Sequence, residues 1–495
     1  MATEKLNTIK FYCQKVLPLV YDDSLSYYEV LCKVVKYLND TIEYVNNLDV
    51  EEYVTNELNE MAEDGRLAKI IADAAFDFVT PEMYGAVGDG ETDDTKAVED
   101  AFNSGMPVKL MKNKHYRITR TITMIDNRVF RLVYCDAATP VSNRVNIIID
   151  IPSGDSQIGF NVLEESVYFE NVEFQCINTS RQSCTYFLCH RTAADIDISF
   201  NNCCFREGAR ICDFYGRGFK FFNCKVAHTS QLLNIHWEGE SDTIYHDDET
   251  GQRAIIITNN RFHSINHAPH HGIINVESGN CFGMTFNDNV IDRDFGFLLN
   301  AASKLKNVSF LNNVLNGPRP VSGSSYNPMV RLVGGAEGFQ FKNNTIFTHG
   351  NTFAVGCMVA FTGGDAINCN ISGNYIDRLI DNHTLIVFHG DTNKNNVISN
   401  NIVGKMEDVT SYGCILRNYN GLENTVLTGN IIGDASYVDD TYSCKTLVIG
   451  NQQTIKNCRM FGNVSFPQDL PNDIRHSSNI SPVFDNCRFD FAWEE

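Results

Sequence analysis

A short pattern, repeated about every thirty residues, dominates the C-terminal two-thirds of this 495-residue chain. Its clearest copy is V-S-F-L-N-N-V-L at 308–315, where apolar Phe310 stands three residues before Asn313 and apolar Leu315 stands two residues after it. The same frame recurs with reference residues Val172, Cys203, Cys224, Asn260, Asn289, Asn313, Asn344, Asn374, Asn401, Asn430, Cys458 and Cys487. Their spacing of 21 to 36 residues is typical of a solenoid, in which no single repeat can bury its apolar face alone.

Each copy is strand-like, too short for a regular long helix, and followed by Gly- or Asn-containing breaks. This pattern predicts an all-β parallel β-helix of about twelve or more coils, one coil per copy, with neighbouring coils about 4.8 Å apart. Asn tolerates left-handed backbone angles at a bend, and stacked amides can satisfy one another. Cys is a small substitute with a weak S–H donor. The recurring Asn and Cys residues are therefore interpreted as a structural ladder.

The composition of the chain disfavours several classes of function. A formal net charge of −21 disfavours binding to nucleic acid or to anionic membrane surfaces. We find neither an apolar secretion signal nor a run of 18 apolar residues, so no membrane insertion is expected. The 17 Cys residues include no C-x-x-C pair and favour free thiols in a reducing cytosol over disulfides or zinc. We predict no cofactor and no metal.

The N-terminal region predicts helix rather than strand. Residues 1–23 form an irregular leader, and Ser26-x-x-Glu29 is a capping box that opens a helical region over residues 24–80. Apolar residues then follow the alternating spacing of a coiled-coil seam: Leu31, Val35, Leu38, Ile42 and Val45. Such a helix needs a partner. We favour a bundle of three chains, and the alternative is a helical hairpin packed on its own shaft.

A glycine-rich segment follows at residues 84–102, Y-G-A-V-G-D-G-E-T-D-D-T-K-A-V-E-D-A-F. It resembles the opening motif of the pectate-lyase-like right-handed β-helix superfamily, which includes polysaccharide lyases, glycosidases and bacteriophage tailspikes. The resemblance implies a right-handed coil whose cap and first coil occupy residues 81–125 and whose body occupies residues 126–495. Thr92 or Asp93 is expected to cap a short helix. Its apolar stripe of Ala97, Val98, Ala101 and Phe102 is expected to close the open end of the stack.

The N-terminal helix, with its opening Y-D-D-S-L-S-Y-Y-E-V-L at residues 21–31, resembles the leader of tail appendages from phages of Gram-positive hosts. This resemblance implies a protein made in the host cytoplasm and located in the virion tail. It also implies that the N-terminal region docks to other tail proteins, that the chain is a homotrimer, and that it contacts host cell-wall or capsular polysaccharide. Because the ladder continues to Cys487, we expect no separate receptor-binding tip.

Glycan cleavage requires two carboxylates, or a base with a stabilising partner, near one glycosidic bond. Residues three positions after the ladder should face solvent and stack from coil to coil. At this offset His263 and Asp292 belong to adjacent coils, with Asp294 close by, and we predict them as catalytic candidates. The alternative interpretation is an ordinary solvent-exposed face. Arg206 and Asp377 share the same offset and are predicted to bind glycan.

The longest interval of the ladder contains a loop at residues 236–250, H-W-E-G-E-S-D-T-I-Y-H-D-D-E-T. Trp237 is a predicted sugar-stacking residue, and Glu238 is a further catalytic candidate. A solvated acidic loop, or a contact between protomers, is the alternative. The nearby His267, His270 and His271 match no standard zinc spacing.

Two function hypotheses remain open. The favoured one is a phage tailspike or tail fibre that binds cell-surface polysaccharide, because the fold signal is strong and no catalytic signature accompanies it. The second is a hydrolase or lyase of the same shape that depolymerises this polysaccharide, so whether the chain is an enzyme is left open. A cellular pectate-lyase-like enzyme is disfavoured by the helical leader and by the lack of a secretion signal.

Overall fold

In a computed structural model, the chain divides into two units, Met1–Ile70 and Ile71–Glu495. The structure describes residues 36, 38–40, 42, 59–60, 77–125, 131–136, 146–152, 157–163, 166–177, 184–189, 196–216, 218–236, 255–263, 272–278, 281–293, 295–318, 328–348, 356–380, 384–409, 413–437, 444–450, 454–465, 474–476 and 483–489. In the first unit, the described residues are helical, and Leu38 and Ile42 are exposed. Within the described parts of both units, no helix has the length and apolar character needed to cross a membrane. The boundaries predicted at residues 23, 80 and 125 stay predictions.

The second unit is a stack of parallel strands in four sheets, which we name A to D. Sheet A contains fourteen strands: β2 (Val108–Leu110), β5 (Arg131–Cys135), β8 (Val167–Glu170), β11 (Asp197–Asn201), β14 (Gly218–Phe222), β17 (Ile255–Thr258), β21 (Met284–Asn287), β25 (Ser309–Leu311), β29 (Gln340–Lys342), β33 (Asn370–Ser372), β37 (Val397–Ser399), β41 (Val426–Thr428), β45 (Arg459–Phe461) and β49 (Arg488–Phe489).

Sheet B also contains fourteen strands: β1 (Asp89–Asp93), β3 (His115–Ile118), β6 (Ile147–Ile149), β9 (Glu173–Cys176), β12 (Cys204–Arg206), β15 (Lys225–Ala227), β18 (Arg261–His263), β22 (Val290–Ile291), β26 (Val314–Asn316), β30 (Thr345–Phe347), β34 (Tyr375–Ile380), β38 (Ile402–Val409), β42 (Ile431–Tyr437) and β46 (Val464–Ser465). Each of its strands pairs in parallel with the strand one coil away, which is the topology expected of a β-helix.

Sheet C contains thirteen strands: β4 (Ile122–Met124), β7 (Ile158–Val162), β10 (Thr185–Cys189), β13 (Arg210–Phe214), β16 (Gln231–His236), β19 (Gly272–Ser278), β23 (Phe297–Ala301), β27 (Pro328–Leu332), β31 (Cys357–Phe361), β35 (Thr384–Phe388), β39 (Gly413–Asn418), β43 (Cys444–Ile449) and β47 (Ile474–His476). Sheet D contains eight short strands: β20 (Cys281–Phe282), β24 (Leu305–Lys306), β28 (Ala336–Glu337), β32 (Ala366–Ile367), β36 (Thr392–Lys394), β40 (Gly421–Glu423), β44 (Thr454–Lys456) and β48 (Val483–Asp485). The predicted parallel β-helix is confirmed.

The core is a continuous apolar column inside the coils. Phe310 on β25 is in register with Phe286 and Phe341 on the neighbouring strands, and all three are fully buried. Leu315 is fully buried in the same way on sheet B. Stacking identical positions in register places aromatic beside aromatic, as in the 5.2 Å ring separation of Phe286 and Phe310. The apolar residues that flank the ladder in the sequence are therefore the core residues of the β-helix.

The asparagine ladder lies at the corner between sheets A and B, where two consecutive residues have different roles. Asn312 has a left-handed φ of 58° and makes the turn. Asn313 is buried and supplies the amide, so the turn-forming role we predicted for it belongs to its predecessor. Its Oδ1 accepts hydrogen bonds from the backbone N and Nδ2 of Asn289 at 2.9 and 3.2 Å. The same two bonds recur at each step through Asn260, Asn289, Asn313, Asn344, Asn374, Asn401, Asn430 and Asn463.

The prediction is wrong for the last two members of the ladder, Cys458 and Cys487. Asn430 bonds to Asn463, not to Cys458. Cys458 and Cys487 lie at the corner between sheets D and A instead, each after a left-handed Asn, where the Cys458 thiol donates to Leu422 O at 3.8 Å. Both corners consist of a left-handed residue followed by a small buried one. The local pattern consequently cannot distinguish them.

The N-terminal end of the stack is closed by helix α1 (Thr95–Phe102), preceded by a 3₁₀ helix at Pro81–Tyr84. The four predicted apolar residues of α1 are buried, as expected for a plug. As predicted, Asp93 caps the helix, because its Oδ1 accepts a hydrogen bond from the backbone N of Thr95 at 3.0 Å. The N-cap position itself is occupied by Asp94. Its carboxylate accepts hydrogen bonds from the backbone of Val87 and Gly88 at 2.7 and 3.0 Å, so it ties the glycine-rich turn to the helix.

Cysteine reactivity offers a test of this packing. Thirteen of the fourteen described cysteines are buried and free, and Cys487 is half-buried. A hydrogen bond from the Cys458 thiol lowers the pKa of Cys487 to about 7, whereas burial raises the pKa of Cys224. Because the thiolate is the nucleophile, iodoacetamide should label Cys487 well before Cys224, at a rate that rises as the pH passes through about 7. Peptide mass spectrometry reads both sites, and equal labelling of the two would contradict the buried ladder.

Candidate functional site

The predicted pair His263 and Asp292 lies on neighbouring strands of sheet B. The backbone N of Asp292 donates to Phe262 O at 2.7 Å, so the two residues follow one another on the outer face. The carboxylate of Asp292 is engaged elsewhere, with Oδ2 2.5 Å from Arg261 Nε. The His263 ring packs edge-on against His228 at 5.7 Å. The structure thus brings the two residues side by side but pairs each with a different neighbour, and their catalytic role stays a prediction.

The two residues predicted to bind glycan both hold structural contacts. Arg206 Nε lies 2.9 Å from Glu173 Oε1, and the Glu173 side chain is fully buried. Asp377 Oδ1 accepts hydrogen bonds from the backbone N and Oγ1 of Thr348, both at 2.8 Å. The remaining predicted site residues, Trp237, Glu238 and Asp294, and the histidines at 267, 270 and 271, lie outside the described residues.

A charged cluster that we did not predict lies on the outer face of sheet C, at β13, β16 and β19. His236 is its centre. The Nε2 atom of His236 is 3.3 Å from Asp213 Oδ1, and its Nδ1 atom is 3.2 Å from Glu277 Oε2. The Tyr215 ring stacks on the imidazole with centroids 4.8 Å apart and planes 11° apart. We call Asp213, His236 and Glu277 the sheet C cluster.

The parallel register of sheet C explains this arrangement. Asp213, Asn234 and Asn275 occupy equivalent positions on successive coils. Their side chains form a chain of hydrogen bonds that continues to Asn300: Asn300 Nδ2 donates to Asn275 Oδ1, Asn275 Nδ2 to Asn234 Oδ1, and Asn234 Nδ2 to Asp213 Oδ1, at 2.9, 2.9 and 3.0 Å. Every amide donates in the same direction, and the chain ends on a carboxylate, which only accepts when ionised.

The other end of this row of hydrogen bonds has an unsatisfied acceptor. Asn300 Oδ1 is buried and has no hydrogen-bond partner among the described residues. A buried acceptor of this kind costs free energy unless a water or a ligand donor satisfies it. Asn234 and Asn275 inside this row are buried, so the amides lie beneath the surface, with an acceptor at one end and charged groups at the other.

The negative charge of Asp213 is stabilised by the groups around it. Its burial alone would raise the pKa, but a hydrogen bond with His236, the charge of Arg210 and a hydrogen bond from Asn234 together lower it. Arg210 Nη1 approaches Asp213 Oδ1 to 2.5 Å. The side chains of Asp213 and His236 are 17% and 18% exposed, whereas Glu277 is 39% exposed. Asp213 can therefore orient the imidazole from below while Glu277 remains reachable from solvent.

This electrostatic arrangement predicts a pH dependence. Since the pKa of Asp213 is lower in the folded than in the unfolded chain, its stabilising contribution is present above the unfolded pKa of about 3.9 and is lost as the pH falls through the folded pKa. Replacing Asp213 by Asn should therefore lower the urea midpoint at pH 7, and this difference from the wild type should shrink steadily below pH 4. Urea unfolding at a series of pH values measures it. A difference independent of pH would contradict an ionised Asp213.

The sheet C cluster supports two kinds of chemistry. Carboxylates and an imidazole within hydrogen-bonding distance can transfer protons, and they can also bind sugar hydroxyls. The described residues contain no group of three His, Cys, Asp or Glu side chains arranged to hold a metal ion. The sequence does carry a signal for the cluster, because Asn234/His236 and Asn275/Glu277 are polar pairs two residues apart inside otherwise apolar strands.

Comparison with known proteins places the chain near a group of phage structural proteins. It is 30% identical over 161 residues to the pre-neck appendage protein of Bacillus phage B103, a match that covers 29% of this chain and 18% of that protein. The pre-neck appendage protein of Bacillus phage phi29 is 29% identical over 134 residues, covering 23% of this chain and 16% of its own length. Over these matched residues, the chain is similar to phage pre-neck appendage proteins. The predicted resemblance to a phage tail appendage is confirmed, and the matches support a tail-appendage role.

These pre-neck appendage relatives are much longer than the region they share with this chain, which spans less than a fifth of each. No protein-family model matches the chain. Among solved structures, tailspike protein 3 of bacteriophage CBA120 is 12% identical with a TM-score of 0.38, covering 88% of this chain and 68% of its own. The DFA-IIIase of Arthrobacter chlorophenolicus A6 is 13% identical with a TM-score of 0.44, covering 76% and 93%. At these identities and scores, neither likeness bears on function.

Proposed function

We propose that this chain is the β-helical body of a phage tail appendage and that it contacts host cell-surface polysaccharide during adsorption. The sequence similarity to pre-neck appendage proteins of Bacillus phages is the observation that carries the proposal. A rigid stack of parallel coils offers long, regular outer faces to a repeating polymer. Because the relatives belong to Bacillus phages, the wall of a Bacillus host is the surface to test.

We further propose that three copies assemble and that the N-terminal region joins them to other tail proteins. Leu38 and Ile42 support this assembly, since they are exposed, apolar and four residues apart on a helix. Mass measurement of the full chain in solution tests the trimer. A monomer at micromolar concentration would contradict it.

The sheet C cluster is the proposed contact for glycan. It combines a half-exposed carboxylate with an imidazole, which are groups that can hydrogen-bond sugar hydroxyls. The buried amides of Asn234 and Asn275 donate to Asp213 and Glu277 and so hold the cluster in place. The net charge of −21 disfavours a polyanionic polymer as the partner. Neutral wall glycan is therefore the expected ligand class.

Co-sedimentation with purified Bacillus cell walls tests this function. We expect the full chain to pellet with walls, and equally with walls stripped of phosphate-containing polymers by hydrofluoric acid. Glu277→Gln and His236→Ala should weaken retention, while Lys96→Ala on the exposed face of α1 should leave it unchanged. Loss of retention after stripping would reassign the ligand to the anionic polymer, and no retention on either wall would overturn the proposal.

Depolymerisation of the same polysaccharide is the second candidate function. His236 lies between two carboxylates, an arrangement that can supply a general acid and a general base. Release of reducing ends or appearance of unsaturated-sugar absorbance from the wall polymer measures this activity. Glu277→Gln should abolish activity that resides in the sheet C cluster, whereas Asp292→Asn should abolish activity that resides on sheet B as the sequence predicts. Intact polymer that still co-sediments would leave binding as the function.

A further inference from the structure

Two exposed aromatic side chains lie beside one another on the outer face of sheet B. Phe347 on β30 is 37% exposed and Tyr375 on β34 is 36% exposed. They belong to neighbouring coils, and their ring centroids are 6.1 Å apart with planes at 60°. Two adjacent exposed aromatic rings form one continuous apolar surface, which is a feature that binding sites use.

The Tyr375 ring lies across the sheet toward the next coil. Tyr375 is paired with Ile402 on β38, and Gly404 follows two residues later. A Cβ atom built on Gly404 would lie 3.3 Å from the Tyr375 hydroxyl oxygen and 2.6 Å from Asp377 O. The hydroxyl thus rests over the position where Gly404 lacks a side chain. Gly433 occupies the equivalent place one coil further on, so the surface beyond the ring stays shallow.

Charged side chains line one edge of this aromatic surface. Arg378 Nη1 is 3.0 Å from Glu407 Oε2, and Lys405 Nζ is 2.9 Å from Glu407 Oε1. Lys405 is in register with Asp434 on the next strand. Arg378 follows Tyr375 on β34, and Lys405 and Glu407 lie on the next strand, β38. Hydrogen-bond donors and acceptors held by ion pairs therefore lie near the aromatic pair.

We infer that Phe347 and Tyr375 form a second glycan-binding site, on sheet B, which takes a neutral sugar ring with an apolar face. The aromatic rings would contact the C–H face of the pyranose, and Arg378, Lys405 and Glu407 would bind its hydroxyl groups. This inference rests on the proposed function and adds to it a second contact and a ligand class.

The charged edge favours a glycan over a second copy of the chain. Charged residues are depleted from the cores of protein–protein interfaces, whereas here the ion-paired Arg378 follows Tyr375 by only three residues on β34. Apolar and aromatic groups together with a few fixed polar groups are the usual lining of a small-ligand site.

Calorimetric titration of the full chain with neutral tetrasaccharides tests the site, using β-1,4-linked glucose and β-1,4-linked N-acetylglucosamine as the two probes. We expect Tyr375→Ala and Phe347→Ala each to weaken binding of the preferred probe about tenfold. Tyr375→Phe should retain binding, because the ring is kept. Phe461→Ala is the matched control, because Phe461 is also 37% exposed but lies on sheet A.

Wall co-sedimentation of the same variants separates this site from the proposed function. Weaker probe binding and weaker wall retention by Tyr375→Ala would support both. Wild-type retention by Tyr375→Ala and Phe347→Ala, without probe binding by the wild type, would overturn the aromatic site and leave the proposed function standing. Probe binding without wall retention by the wild type would keep the site and overturn the proposed function. A mass that falls in Phe347→Ala would instead assign this face to contacts between copies and overturn the site.

Discussion

Replacing Asn313 by Ala is expected to destabilise the β-helix by about 3–5 kcal/mol, because each buried polar group left without a partner costs about 1–3 kcal/mol. The substitution removes the acceptor for the backbone N and Nδ2 of Asn289. It also removes the donor to Phe286 O, at 2.9 Å. Urea unfolding of the full chain should show a clearly lower midpoint, and hydrogen exchange should show faster exchange of the Asn289 amide.

The neighbouring residue provides the control for this experiment. Asn312 is exposed, with a φ of 58°, and its side chain bonds only weakly, to Asp288 at 3.2 Å and from Asn343 at 3.4 Å. Glycine adopts this backbone conformation without strain, so Asn312→Gly should change the stability by less than about 1 kcal/mol. Equal effects of the two substitutions would mean that the buried amide column does not hold the coils together.

Replacing Arg206 by Ala is expected to cost a further large amount, about 3–5 kcal/mol, since it strands the fully buried Glu173 carboxylate without its cation. Arg261→Ala is the matched control on the same sheet. Arg261 is 67% exposed in its pair with Asp292, and an exposed ion pair contributes about 0–1 kcal/mol. Urea unfolding of both variants compares the two pairs directly.

The Arg206 experiment also separates two roles for that residue. The structural role predicts a lower unfolding midpoint for Arg206→Ala, together with wild-type wall retention by the protein that remains folded. The glycan-binding role predicted from the sequence gives a wild-type midpoint and weaker wall retention. A double variant, Glu173→Leu with Arg206→Met, should recover stability under the structural role, because the charge and its cation are removed together.

The sequence predicted the column of the β-helix well because one physical requirement repeats in every coil. Phe310 and Leu315 must be apolar for the interior to be dry, and Asn313 must be polar to satisfy the corner. The same reasoning failed at Cys458 and Cys487. There the D–A corner presents the same left-handed residue and small buried neighbour as the A–B corner, and no local feature of the sequence reports which corner a residue occupies.

The sheet C cluster escaped prediction for a different reason. From β9 onward, each strand of sheet B begins directly after the two-residue corner between sheets A and B. Residues at a fixed distance after the ladder residue, such as Asn313, therefore occupy equivalent positions on sheet B in each of these coils. Sheet C begins after connections of changing length: three residues (228–230) between β15 and β16, and eleven (317–327) between β26 and β27. An offset from the ladder therefore cannot align Asp213, His236 and Glu277. The ion pairs of Arg206 and Asp292 were missed because sequence spacing predicts which face a side chain takes, not which neighbour it binds.

Competition for the host surface tests the central claim most directly. The purified 495-residue chain would be added to Bacillus host cells before the parent phage, and the rate of phage adsorption would be measured. A chain that contacts host polysaccharide should slow adsorption in a concentration-dependent manner, and Glu277→Gln should slow it much less than the wild type does. Adsorption at the unchanged rate, at wild-type concentrations that saturate isolated walls, would contradict the account.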